Sequence, residues 1–174
     1  MTRAYLDKFT RRGRSWLQDS QGRDLFARLA DDGDQVVGAF CGNPHPLMVH
    51  WAGKRYETCA GEGCLHCMSG KKPQFRVLLN FYVPAERSMK VIAGGTGWFQ
   101  NVYQLWKDYG TDGLLYRVTR HGRAGDCQTR YTIEPHETMT DGERAMVAGC
   151  LTHDLAQVAR GQGGGRATTG RLAA

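Results

Sequence analysis

Residues 75–83 read FRVLLNFYV, and their alternation decides how the rest of the chain is interpreted. Phe75, Val77, Leu79, Phe81 and Val83 alternate with Arg76, Leu78, Asn80 and Tyr82. A period of two predicts a strand with one face in a core, leaving Arg76, Asn80 and Tyr82 on the opposite face. Upstream, QVVGAF (35–40) is short, apolar and β-branched, which predicts another strand. LMVHWAGKRYETC (47–59) predicts a further strand that turns at Ala52-Gly53. Downstream, residues 89–92 predict a short strand ended by the two glycines that follow.

The period then changes. In GWFQNVYQLWKDYG (97–110), Phe99, Val102 and Trp106 fall at helical spacing, and Gly110 supplies a C-terminal stop. LLYRVTR (114–120) and TRYTIEP (129–135) return to strand character across the loop HGRAGDCQ. Beyond Pro135, TMTDGERAMVAGCLTHDLAQVAR predicts one helix capped at Thr140 or Asp141. Three strands before a helix and two after it predict a mainly β chain. The expected architecture is an OB-fold, a five-stranded barrel with its helix between strands three and four, with an SH3-like barrel or an irregular α+β domain as the alternatives.

Five segments follow from this reading. Residues 1–33 form a basic arm in which Arg11, Arg12 and Arg14 precede Trp16, with a short amphipathic helix at 24–29. Residues 34–135 form the barrel, with a metal-binding hairpin inserted at about 45–73. Residues 136–160 form the C-terminal helix. Residues 161–174 are a Gly- and Arg-rich tail with no packing pattern.

Bulk properties narrow the function classes. A chain of 174 residues with 41% hydrophobic and 23% charged side chains has enough apolar material for a packed core. Its formal charge of +6 favours a polyanionic partner. The start, MTRAYLDKFTRRGRSW, is too charged for a secretory signal, and the apolar run 77–83 is too short to span a bilayer. A cytoplasmic setting without membrane contact is expected. There, six cysteines suit metal ligation or free thiols better than disulfides.

The cysteines concentrate beside the first-read strand. Cys64-x-x-Cys67 is a knuckle whose turn N–H groups can support two thiolates, with Gly61, Gly63 and Gly70 easing the backbone. Cys59 supplies a third thiolate, and His50 is the best fourth ligand, with His45, His66 and Cys41 as alternatives. The expected cofactor is one structural Zn²⁺. A redox Cys-x-x-Cys is expected to open a helix after a strand, whereas this one is embedded in glycines. A zinc deaminase needs His-x-Glu, and the chain has HWA at that point. Four protein ligands leave no open position, so the site is expected to brace and not to catalyse.

Cationic and aromatic residues interleave around this cluster and on the later strands. Trp51, Lys54, Arg55 and Tyr56 form one group, with Lys71 and Lys72 after the knuckle. Arg76, Asn80 and Tyr82 form another, and Arg117, Arg120 and Arg130 lie on the last strands. Single-stranded nucleic acid binders combine such charges with aromatic stacking faces.

The stretches VHWAGKRYETCAGEGCLHCMSGKKPQFRVLLNFYV, WFQNVYQLWKDYG and LYRVTRHGRAGDCQTRYTIEP together cover about residues 35–135. In them the chain resembles the zinc-bearing OB-fold single-stranded-DNA-binding proteins of bacteriophages, of the phage T4 type. The order His50, Cys59, Cys64, Cys67 resembles that family's metal site, though its spacing is more compact. The resemblance implies a zinc subdomain that braces a barrel and a cleft that holds single-stranded DNA in replication, recombination or repair. For a phage-encoded chain, the setting is the host cytoplasm. It also implies replication or recombination proteins as partners, and self-association on DNA is a further expectation. One departure concerns the tail. Family members often end in an acidic, partner-recruiting tail, whereas this tail carries Arg160, Arg166 and Arg171 with no acid after Asp154. The runner-up is a zinc-stabilised regulator or adaptor that binds duplex DNA or RNA.

Overall fold

The computed structural model describes residues 25–27, 29–53, 56–110, 112–123 and 129–161. Six strands form one antiparallel sheet: β1 (Gln35–Trp51), β2 (Tyr56–Thr58), β3 (Gln74–Val83), β4 (Ser88–Gly95), β5 (Leu114–His121) and β6 (Arg130–Thr138). The strand order is β4-β3-β1-β5-β6, with β2 paired to the far end of β1. Among the described residues no ladder joins β4 to β6, so the sheet is open where a closed barrel was expected. A short helix, α1 (Leu65–Met68), precedes β3, and helix α2 (Thr96–Tyr109) follows β4 and touches β3, β4 and β6, filling the side that strand pairing leaves open.

The two strands expected at 35–40 and from 47 are one strand of 17 residues. The intervening CGNPHP reads as a turn, but both flanks pair with the same partner, β3, so the segment becomes a bulge between Cys41 and His45. β1 thereby serves both halves of the sheet, pairing with β5 through residues 35–38 and with β3 through residues 39–49. At Gly38 the backbone passes so close to β3 that a Cβ would lie 2.2 Å from the Tyr82 carbonyl oxygen. β4 likewise runs on through the glycines expected to end it. A Cβ at Gly94 would lie 2.0 Å from the Trp98 ring, so the glycine is the seat on which that indole lies.

The sheet is covered on both faces, which changes the meaning of the alternation in β3. Its odd residues, Val77, Leu79, Phe81 and Val83, join Phe40, Ile92, Trp98, Val102, Tyr116 and Val118 in one core under α2. Phe40 is the centre of that core, with ring centroids at 4.9 Å from Phe81, 5.8 Å from Trp106 and 5.4 Å from Tyr116. Leu78, on the other face, packs with Leu47, Val49, Val91, Leu155 and Val158, and with Leu25 and Phe26. Leu25 and Phe26 are not helical as expected. Phe26 bridges to Val91, and the Ala27 amide donates to the Val91 carbonyl.

The expected single C-terminal helix is two. Residues 136–138 belong to β6, α3 spans Asp141–Gly149 and α4 spans Leu155–Ala159. Thr140 caps α3 with Glu143 in a reciprocal capping box, and Asp154 caps α4. The break lets each short helix lay its own apolar residues on the sheet: Val147 beside Ala39, Leu115 and Met139, and Leu155 with Val158 over Leu78. Arg11, Arg12, Arg14 and Trp16 of the expected basic arm, and the expected tail beyond Gly161, lie outside the described residues. No helix among the described residues is long and apolar enough to cross a membrane.

Candidate metal centre

His50, Cys59, Cys64 and Cys67 converge, with one donor atom from each lying within 4.8 Å of all the others. Strand alternation explains His50. Leu47 and Val49 point into one core, so His50 points to the other face, where it is fully buried. The chain reverses after Trp51, with Gly53 at φ 87°, and β2 pairs back so that Glu57 lies opposite His50. The Cys59 amide donates to the Met48 carbonyl, which extends the ladder and delivers its thiol beside the imidazole. The knuckle then forms on left-handed Gly61 and Gly63, at φ 73° and 76°, and runs into helix α1 (Leu65–Met68).

The distances test whether one ion fits. Sγ of Cys64 and of Cys67 lie 3.5 Å and 3.4 Å from His50 Nε2, and Cys59 Sγ lies 3.7 Å from Cys67 Sγ. A tetrahedral centre with metal–sulfur bonds of about 2.3 Å and a metal–nitrogen bond of about 2.05 Å has edges of roughly 3.75 Å and 3.55 Å. The set therefore fits one metal ion. It is not a disulfide, whose S–S bond is about 2.05 Å.

Electrostatics agree with a cation at this point. Backbone N–H groups of Cys67 and Ala60 aim at the Cys64 sulfur and draw its thiol down to about 6. The Cys67 thiol is pushed up to about 11, first by its hydrogen bond with Cys59 and then by burial and Cys64. Three crowded sulfurs cannot all ionise without a positive charge among them, which a bound metal supplies.

The alternative ligands are placed elsewhere. His66 turns its Nε2 to Glu57 Oε2 at 2.9 Å, which clips α1 to β2 outside the cluster. Cys41 is buried on the other face, its sulfur 3.5 Å from the Ala39 carbonyl, and burial pushes its thiol up to about 11. His45 pairs across β1–β3 with Leu78 and takes no part in the cluster. The Glu57–His66 clip was not anticipated. Its signal was present in the acid facing His50 across a short hairpin.

The residues expected to meet nucleic acid divide into three groups. Trp51, Tyr56 and Arg76 come together at the end of the sheet beside the His/Cys cluster. The Trp51 and Tyr56 ring centroids are 5.0 Å apart, and the Arg76 guanidinium lies 4.5 Å over the Tyr56 ring while bonded to its hydroxyl. Trp51 remains 48% exposed, and Lys71 and Lys72 are exposed on the return from the knuckle. Arg130 is exposed on β6, and Arg117 is half-buried, paired with Glu134 at 3.1 Å and His136 at 2.7 Å. Lys54 and Arg55 lie outside the described residues.

Asn80, Tyr82 and Arg120 form the third group, and they are structural. Asn80 and Tyr82 are only 3% and 1% exposed because the C-terminal segment covers their face of the sheet. The Asn80 amide donates to the His153 carbonyl and its oxygen accepts from the His153 amide, at 3.1 Å and 2.9 Å. The Tyr82 hydroxyl reaches the Met146 sulfur. Arg120 directs its N–H groups at the Leu29, Gly122 and Arg123 carbonyls, the Tyr131 hydroxyl and the Thr129 hydroxyl. It pins the β5–β6 loop to the segment before β1.

Comparison with family models, curated proteins and solved structures returns no match for this chain.

Proposed function

We propose that the chain is a non-enzymatic single-stranded-DNA-binding protein of OB-fold type, braced by one structural Zn²⁺ and serving replication, recombination or repair in the cytoplasm. The observation that carries the reading is the cluster of Trp51, Tyr56 and Arg76. It is an aromatic edge under a guanidinium, left open at the end of a packed sheet and flanked by Lys71 and Lys72. Bases stack on such faces with little regard for sequence, at about 1–3 kcal/mol each.

The strand order supports the fold assignment. Among the five long strands, the first lies in the middle of the sheet and α2 follows the third, as in a partly open Greek-key barrel. One histidine and three thiolates at tetrahedral spacing are a zinc donor set, and they fill all four positions, so the ion braces the hairpin that presents Trp51 and Tyr56.

A tryptophan-fluorescence titration with oligo-dT at two salt concentrations tests the reading. Neutralisation of about three phosphates by Arg76, Lys71 and Lys72 gives a log–log salt slope of about −2 on single strands. Equal or tighter binding to duplex DNA overturns it. That outcome would favour a duplex or RNA adaptor, for which the exposed Gln100, Asn101 and Gln104 on α2 are the supporting feature.

A further inference from the structure

We infer that the metal cluster is also a peroxide-reactive site, in which Cys67 is the thiolate oxidised first and Cys59 the thiolate that resolves it into a disulfide. The inference rests on the metal reading above and concerns the chemistry of that site's own ligands.

The four ligands are unequally shielded. His50 is fully buried and Cys64 is 5% exposed, whereas Cys59 is half-buried and Cys67 is exposed. The cluster therefore has one open edge, the line between the Cys59 and Cys67 sulfurs. A metal bound by the cluster would hold its sulfurs in the thiolate form that peroxide attacks. Cys64 is withheld by burial.

The geometry also allows the second step. The Cys59 and Cys67 sulfurs are 3.7 Å apart, and a disulfide needs about 2.05 Å. The chain between them includes Gly61 and Gly63, both left-handed and with open space where a Cβ would sit, so the loop can contract.

The chemistry balances with a peroxide as the only co-reactant. The Cys67 thiolate takes one oxygen from hydrogen peroxide, the O–O bond breaks, and hydroxide leaves, giving the sulfenic acid. The Cys59 thiolate then attacks that sulfur. The S–S bond forms, the S–O bond breaks and a second hydroxide leaves. Two thiolates and one peroxide become one disulfide and two hydroxides, with two electrons passing from sulfur to oxygen. A bound ion would lose two anionic donors and leave, with the knuckle tied to the end of β2 by the new disulfide and by the Glu57–His66 clip.

The experiment uses the full chain loaded with zinc and treated with hydrogen peroxide beside a chromogenic chelator. The expected result is release of about one zinc per chain, reversed by dithiothreitol and added zinc. Cleavage after Glu62 separates Cys59 from Cys64 and Cys67. A Cys59–Cys67 bridge therefore keeps the two peptides joined, and fragmentation tells Cys67 from Cys64. A Cys64–Cys67 bridge, or zinc retained while exposed Met68 is oxidised, overturns the inference. Failure of the untreated chain to take up zinc overturns the metal reading itself, and the inference with it.

Discussion

Replacing Asn80 with alanine separates a structural residue from a nucleic-acid contact, because the two roles predict opposite results. Its side chain makes two hydrogen bonds to one peptide, donating to the His153 carbonyl and accepting from the His153 amide. Each lost neutral bond costs about 1 kcal/mol, and leaving the His153 peptide groups without partners in a largely water-excluded site adds to it. Asn80→Ala is therefore expected to cost about 2–4 kcal/mol in urea unfolding. For a chain of this size that is a fall of about 5–15 °C in Tm. Asn80→Asp is a sharper variant. It keeps the acceptor for the His153 amide but sets a carboxylate oxygen against the His153 carbonyl, so it is expected to be no more stable than the alanine variant. A Tm unchanged within about 1 °C, with weakened binding to oligo-dT, would refute the account and return Asn80 to the binding surface.

Three further outcomes follow from the same geometry. Cys64→Ala removes a ligand from the interior of the cluster, so zinc content is expected to fall from one per chain to near zero by elemental analysis, and chelation of the parent protein is expected to lower Tm in the same way. Trp51→Ala removes an exposed ring with little core packing. Oligo-dT affinity is expected to fall about 5- to 150-fold, the equivalent of about 1–3 kcal/mol of stacking, while the melting curve stays put. Cys41 titrates near 9 when unfolded and is pushed up to about 11 by burial in the fold. The folded state therefore holds that proton more tightly, and the stability it gives is present below pH 9 and is lost as pH rises through 11. Cys41→Ala is expected to flatten the fall in stability between pH 9 and pH 11 by about 2–3 kcal/mol, and an unchanged slope counts against the burial account.

Local signals placed the elements well where one residue type dominates a short window. The alternation of residues 75–83 placed β3, the helical spacing of Phe99, Val102 and Trp106 placed α2, and Thr140 with Glu143 marked the start of α3. The four donor side chains of the His/Cys cluster were legible for a similar reason. Thiolates at Cys-x-x-Cys spacing need only a local turn to share an ion, and His50 needs only the adjacent hairpin. The joining of residues 35–51 into one strand was not legible, because CGNPHP becomes a bulge only when both its flanks find β3.

The sequence by itself determined the period of each segment, the tight turns and the donor set, since these depend on contacts a few residues apart. Tertiary structure decided which faces meet solvent. Alternation says that Asn80 and Tyr82 oppose Leu79 and Phe81, but it cannot say whether that second face is wet. A segment about seventy residues later, with His153 and Met146 at its contact points, covers it and turns two expected binding residues into internal fasteners. Arg120 is drawn inward by the same kind of long-range demand, since the Leu29 carbonyl that accepts from it lies 91 residues earlier in the chain. Trp51 stays half exposed, while its neighbours across the hairpin turn inward: Tyr56 packs against the core under α4, and the Thr58 hydroxyl donates to the Ala159 carbonyl. Solvent exposure is a property of the assembled sheet, and it is fixed by which distant segment finds enough apolar area to lie on each face.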